Sequence, residues 1–189
     1  MVVLINEIFE SQLKTFCRLD DFRKSSIEKL PTGHRGLYWI WTNLSFENLI
    51  NTKTNLLSKE VPISNLVKQR KDLNGICKVE KEGFTIVYNG IGGYIKNTDG
   101  IRPSYGLRER ILQEINCSNK RTGTLNIVNR STMEGFEKRW AISYFDFDDT
   151  ENGEIYKRIE SIFDNYPQNA KSLELLWRLQ YGTPILSRH

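Results

Sequence analysis

The 189-residue sequence predicts an α+β domain: a small, mainly antiparallel three-stranded sheet flanked by helices, with an N-terminal helical extension and an insertion between the first two strands. Three observations carry this. Runs of aromatic and β-branched residues at 36–41 (GLYWIW), 84–88 (FTIVY) and 139–147 (RWAISYFDF) suit a half-buried pleated surface. Around them, apolar residues recur at helical spacing. Glycine and proline then break the pattern, as in Leu30-Pro31-Thr32-Gly33 and Gly182-Thr183-Pro184.

Taken in order, residues 4–29 read as one or two helices, since Ile5, Ile8, Phe9, Leu13 and Phe16 share a face. The first strand follows at 36–41. Residues 43–82 form a polar insertion with helices expected over 45–57 and 63–73. The second strand, 84–88, pairs antiparallel with the first. Residues 89–104 hold four glycines and a proline, which predicts a loop. Leu107, Ile111, Leu112 and Ile115 predict a helix over 105–115, and a short strand is expected at 124–128. After the third main strand at 139–147, helices are expected over 154–163 and 170–181, the last stopped by Gly182. The chain reads as one domain of residues 1–189, with 1–33 as the helical extension and 35–187 as the core.

Composition narrows the class. Hydrophobic content of 39% and charged content of 26% are ordinary for a globular chain. No apolar run approaches the ~18–20 residues of a membrane span, and the first residues lack a basic region before an apolar one, so no signal peptide is expected. Cys17, Cys77 and Cys117 are odd in number and lack metal-ligand spacing. A cytoplasmic, reduced setting follows as an expectation. The net charge of +4 is modest but unevenly spread: residues 102–139 hold eight basic and four acidic side chains, and 146–164 hold seven acidic and two basic. One face is thereby suited to a polyanion.

Histidine chemistry has little support, because His189 is terminal and His34 stands alone before the first strand. The glycine-rich NGIGGYIKNTDG lacks the Gly-Lys-Ser/Thr ending of a phosphate loop, so no nucleotide cofactor is expected. What remains is a set of tyrosines, an arginine-bearing helix and late carboxylates. Phosphodiester hydrolysis uses such parts: an oriented water, a cation on the phosphate and a carboxylate-held metal.

Gly36-Leu37-Tyr38 followed by Tyr88-Asn89-Gly90 resembles the paired signature of the GIY-YIG nucleases. The helix Leu107-Arg108-Glu109-Arg110-Ile111 is similar to that family's arginine helix. The ending Leu173-Glu174-Leu175-Leu176-Trp177, with Tyr181-Gly182-Thr183-Pro184-Ile185-Leu186, looks like its closing element. The resemblance spans residues 35–187 in the family's order.

That resemblance implies the following roles. Tyr38 and Tyr88 project toward the scissile phosphate, one of them orienting or deprotonating the attacking water. Arg110 binds the phosphate, with Arg108 the alternative. Glu174 is the protein ligand to Mg²⁺ or Mn²⁺, with Glu160 its rival. Departures from the family pattern are Asn89 in place of the middle Ile, and Glu114 where His or Tyr often stands four residues after the arginine. Ser187 and Arg188 follow Leu186, where an asparagine is typical, and fifty residues separate the signature tyrosines. Glu114 is read either as a base or second ligand or as a solvated helix residue. Asp146, Asp148 and Asp149 are either metal ligands or an acidic strand end turning into solvent.

The nuclease signature reaches the last residues, an arrangement that resembles the family's single-domain type II restriction endonucleases. Double-stranded DNA is then the expected partner, contacted by Lys68, Arg70, Lys71, Lys96, Arg102, Lys120, Arg121 and Arg130, with the 43–82 insertion part of the reading surface. One active site per chain and two strands to cut favour a homodimer. Two alternatives stay open: a phage or mobile-element nuclease of low specificity, and a catalytically inactive DNA-binding member of the family.

Overall fold

The computed structural model describes residues 1–23, 30–53, 60–93, 96–97, 100–101, 106–117, 123–160 and 166–187. Its strands are β1 (Cys17–Arg18), β2 (Gly36–Thr42), β3 (Glu80–Lys81), β4 (Phe84–Gly92), β5 (Lys96–Asn97), β6 (Gly100–Ile101) and β7 (Trp140–Asp146). Its α-helices are α1 (Val2–Lys14), α2 (Leu19–Asp21), α3 (Phe46–Ile50), α4 (Ile63–Arg70), α5 (Leu107–Ile115), α6 (Thr150–Glu160) and α7 (Tyr166–Tyr181).

All seven residues of β2 are buried. A strand reads as a near-continuous apolar run when both faces are covered, and β2 lies in the middle of an antiparallel sheet of order β1-β7-β2-β4-β3. The sheet has five strands where three were expected. The three expected ones are its long central strands, and two-residue strands flank them. Such short edges leave little backbone open to unwanted pairing, and they are too short to carry a period-2 signal in the sequence.

Alternate side chains of the central strands feed two cores. One holds Tyr38, Ile40, Val87 and Ile142 against Leu107, Ile111 and Ile115 of α5, closed by Ile185 and Leu186. The other holds Leu37, Trp39, Trp41, Ile86 and Phe145 against Ile5 and Ile8 of α1 and Leu173 and Trp177 of α7. Trp39 and Trp177 meet with ring centroids 5.6 Å apart.

Several boundaries differ from expectation. The loop expected from Asn89 begins later, because β4 runs on to Gly92, whose Cα pairs with Gly36. Within the same expected loop, β5 and β6 form a small hairpin. The strand expected at 124–128 is instead a 3₁₀ turn at Ile127–Asn129, entered through Asn126 at φ 49°. That left-handed residue turns the chain away from extended pairing. The expected helix over 45–57 is seen as α3, and residues 54–59 lie outside the described part. Gly182, at φ 90°, ends α7 as expected. Among the described residues, no helix is long and apolar enough to cross a membrane.

Candidate active site

Register decides which signature residues meet. Tyr38 pairs with Gly90, Trp39 with Asn89 and Ile40 with Tyr88. Paired residues point to the same face. Tyr38 and Tyr88 therefore share the α5 face, with ring centroids 6.3 Å apart, while Asn89 shares the α7 face with Trp39.

The glycines beside the tyrosines have separate reasons. A Cβ on Gly90 would lie 2.4 Å from the Tyr38 hydroxyl oxygen, so the Tyr38 ring lies directly across the facing strand. Gly36 and Gly92, paired across β2 and β4, leave room for Leu107: a Cβ on Gly92 would lie 2.3 Å from the Leu107 Cα. The start of α5 thus rests on two facing glycines, which aims the helix across the tyrosines.

On α5, Glu114 is wholly buried. Tyr38 donates its hydroxyl hydrogen to Glu114 Oε1 at 2.8 Å, and the Leu125 backbone N–H donates to Oε2 at 2.7 Å. Arg110, one turn earlier, places Nη2 3.6 Å from Oε1 and donates Nη1–H to Gln113 at 2.6 Å. Its side chain is 20% exposed, so the cation reaches solvent while Tyr38 and Glu114 do not. Burial, then the neighbouring Glu114 and Tyr88, push the Tyr38 phenol well above its ordinary pKa. Tyr38 is thus a neutral phenol at physiological pH. Tyr38 pushes the Arg110 pKa further up against the opposing effect of burial, and Glu114 and Tyr88 add to it. Arg110 stays charged. Glu114 is therefore no solvated helix residue; it is the hydrogen-bond partner of Tyr38. Arg108 is half-buried on another side of α5.

Glu174 lies on α7, against the other face of the sheet. Its Oε1 accepts from Arg178 Nη2 at 2.7 Å. Arg178 also donates to Asn89 Oδ1, and Ser187 Oγ donates to the same atom at 2.8 Å. Burial raises the Glu174 pKa, with Arg178 opposing. The signature residues thus form two groups: Tyr38, Tyr88, Arg110 and Glu114 on one face, and Glu174 with Asn89 on the other. The chain end passes from one to the other around the β4 edge, where the Leu186 N–H donates to the Val87 carbonyl at 2.8 Å. Sequence reading missed Arg178 and the pairing of Asn89 with Ser187. The signal was present, since Glu174 and Arg178 are four apart on a helix. Glu160 is exposed at the end of α6, beside Tyr156.

A third cluster joins His34, Asp146 and Asp148, whose ligand atoms lie within 4.8 Å of one another. His34 Nδ1 is 2.8 Å from Asp146 Oδ2, and Asp148 is held by Arg35 at 2.6 Å. Each carboxylate has its own partner. Burial raises the Asp146 pKa; at Asp148 burial acts the same way, but the Arg35 hydrogen bonds outweigh it and the pKa falls. An open cavity of 660 Å³ at the nearby edge of β7 is lined by Glu7, Glu10, Asp146, Asp149 and Glu151. That acidic wall is unsuited to a polyanion.

The expected DNA contacts divide sharply. Lys68 and Lys71 are exposed on and just after α4. Arg70 instead turns inward and donates to the carbonyls of Ile185 and Ser187. Arg130 is 2% exposed and corrects the expectation of a phosphate contact: it donates to the carbonyls of Leu125 and Val61 and pairs with Glu60. It fastens the insertion to the 123–130 segment, because both run past it with backbone carbonyls facing inward. The side chain of Lys96 and the whole of Arg102, Lys120 and Arg121 lie outside the described residues.

Comparison with protein-family models, with curated proteins and with solved structures finds no match to this chain.

Proposed function

We propose that the chain is a divalent-metal-dependent endonuclease that hydrolyses DNA phosphodiester bonds, with a GIY-YIG-like site and the site-specific cutting of a type II restriction endonuclease. One observation carries the reading. Two tyrosines from neighbouring strands share a sheet face, and the Arg110 guanidinium, charged and reaching solvent, stands beside them.

The side chains then divide the work. Tyr88, half-buried where Tyr38 is sealed, orients the attacking water. Tyr38 keeps its proton, held on Glu114, and fixes the Arg110 guanidinium beside it. Arg110 faces the phosphate and offsets the charge that develops on its oxygens. Glu174 and the Asn89 amide oxygen form an all-oxygen donor set, which suits Mg²⁺ or Mn²⁺. Such an ion lies across the sheet from Arg110, so, when bound, it would polarise a phosphate that reaches around the β4 edge between the two groups and would assist the leaving oxygen there. Exposed Lys68 and Lys71 would contact DNA phosphates, and two copies would cut the two strands of a palindromic site.

A specific observation favours a second reading, an inactive DNA-binding member of the family: Glu174 is already paired with Arg178, and Tyr38 is wholly enclosed. Incubation of the protein and of Glu174→Ala with phage DNA and Mg²⁺ separates the readings. Discrete fragments that need Glu174, with two protomers per shifted site, are expected. A smear would mean a nuclease of low specificity. Absence of Glu174-dependent cutting would sink the enzyme reading and leave the binding module.

A further inference from the structure

The Arg178 guanidinium bridges Glu174 on its own helix and Asn89 on β4, and Ser187, after α7, bonds to the same Asn89 oxygen. On α7, Arg178 lies one turn beyond Glu174 and donates Nη2–H to Glu174 Oε1 at 2.7 Å. The same guanidinium donates Nε–H and Nη2–H to Asn89 Oδ1 at 3.1 and 2.9 Å. Ser187 Oγ reaches that oxygen at 2.8 Å, and the Asn89 N–H approaches Ser187 Oγ at 3.4 Å. Ser187 is held there by two anchors: the Leu186 N–H on the Val87 carbonyl, and Arg70 on the carbonyls of Ile185 and Ser187. Asn89 and Ser187 are 3% and 1% exposed, so both are fixed parts of the wall. Glu174 and Arg178 keep side-chain exposures of 17% and 12%, so solvent reaches them.

We propose that Glu174, Asn89 Oδ1 and Ser187 Oγ form a divalent-cation site which the chain fills with its own Arg178 guanidinium, so that metal binding is an exchange of one cation for another. This rests on the reading of Glu174 as the metal ligand. Carboxylate, amide carbonyl and hydroxyl oxygens are the donors that hard divalent ions take. The wall carries one negative charge. A guanidinium and a divalent ion held together there would leave two uncompensated positive charges in a largely buried space, which is strongly unfavourable. The two cations therefore exclude each other. Asn89 stands where the family motif has an apolar Ile, and a neutral oxygen at that point serves either occupant without adding charge. Arg178 has a long stem on a helix surface and can turn out to solvent once displaced. No bond is made or broken in this step.

Mn²⁺ is the probe, titrated into the protein and its variants and followed by calorimetry or by the loss of the free-ion magnetic resonance signal. Removing the competitor should strengthen binding, so Arg178→Gln should take Mn²⁺ about tenfold more tightly than the unaltered chain, a factor that corresponds to about 1.4 kcal/mol. Arg178→Lys, which keeps a cation, should bind like the unaltered chain. Glu174→Gln should abolish binding. Circular dichroism and a thermal melt check that each variant is folded, and Arg178→Met replaces Arg178→Gln if that variant is not. Unchanged or weaker Mn²⁺ binding on loss of the guanidinium, with Glu174→Gln still abolishing it, would overturn the exchange and leave Glu174 as the ligand. Mn²⁺ binding indifferent to Glu174→Gln would overturn the reading of Glu174 itself. No binding by any folded variant at millimolar Mn²⁺ would overturn the site.

Discussion

Replacing Tyr38 with Phe removes one oxygen from the centre of the protein. That hydroxyl is fully buried and donates to a fully buried carboxyl, Glu114 Oε1, at 2.8 Å. Phe fits the same space across Gly90, so no cavity larger than the lost oxygen forms. The cost is the hydrogen bond together with the oxygen left behind. Hydrogen bonds to charged groups contribute roughly 1.5–3 kcal/mol, and an abandoned buried acceptor carries its desolvation penalty. Glu114 keeps the Leu125 N–H on Oε2 and Arg110 at 3.6 Å, which moderates the loss. We expect Tyr38→Phe to lower unfolding free energy by about 2 kcal/mol. With a urea slope of roughly 1–3 kcal/mol per molar, the midpoint should fall by about 1 M at unchanged slope. A double-mutant cycle with Glu114→Gln should show coupling of about 1 kcal/mol between the two positions. Tyr88→Phe is the contrast: half-buried, it should lose cleavage while changing stability by less than about 0.5 kcal/mol. A Tyr38→Phe loss below about 0.5 kcal/mol, with no coupling to Glu114, would refute the buried Tyr38–Glu114 bond and with it the assignment of Tyr38 to holding rather than attacking.

Two further outcomes follow from packing. Gly90→Ala would force a Cβ to 2.4 Å from the Tyr38 hydroxyl oxygen, so it should destabilise by about 1–3 kcal/mol, typical of overpacking, read as a lower thermal midpoint. A shift smaller than that of an exposed Gly→Ala control would contradict the ring-over-glycine arrangement. Among the three thiols, Cys77 and Cys117 are buried and Cys17 is partly exposed, and burial pushes the Cys77 thiol up to about 11. At pH 8, a thiol reagent should label Cys17 in the native protein and all three cysteines in denaturant, counted by mass. Rapid native labelling of Cys77 would contradict its place beneath the turn of residue 182.

Much of the sheet was legible because its central strands carry their own evidence. GLYWIW reads as a buried strand, since helices cover both its faces and every residue is apolar, small or both. The flanking strands, Cys17–Arg18 and Glu80–Lys81, were not legible, because two residues cannot display a period of two. The late end of β4 was hidden for another reason: glycine is a turn residue in isolation, yet Gly90 and Gly92 are strand residues that make room for Tyr38 and Leu107. That space requirement lies across strands and is invisible along the chain. Arg130 shows the same limit for charge. A basic residue in a basic segment reads as surface, and only the carbonyls of Leu125 and Val61, folded against it, turn it into a buried tie. Glu114 likewise reads as a helix-surface carboxylate until Tyr38 arrives from β2 to meet it.

Asn89 links what the sequence offered to what the fold adds. As the middle residue of TIVYNG it is a departure from an apolar position, and a polar side chain under a helix carries a penalty unless its groups are bonded. In the fold its oxygen is bonded, to Arg178 from α7 and to Ser187 from the chain end. Ser187 is itself a departure, falling where the resembled family has asparagine, and Arg178 sits one turn beyond Glu174. Two irregularities read separately are two weaknesses in a motif. Joined to each other by a hydrogen bond and linked through Arg178 to Glu174, they become a single arrangement. That arrangement makes Asn89 the position whose loss should leave Arg178 without its second acceptor.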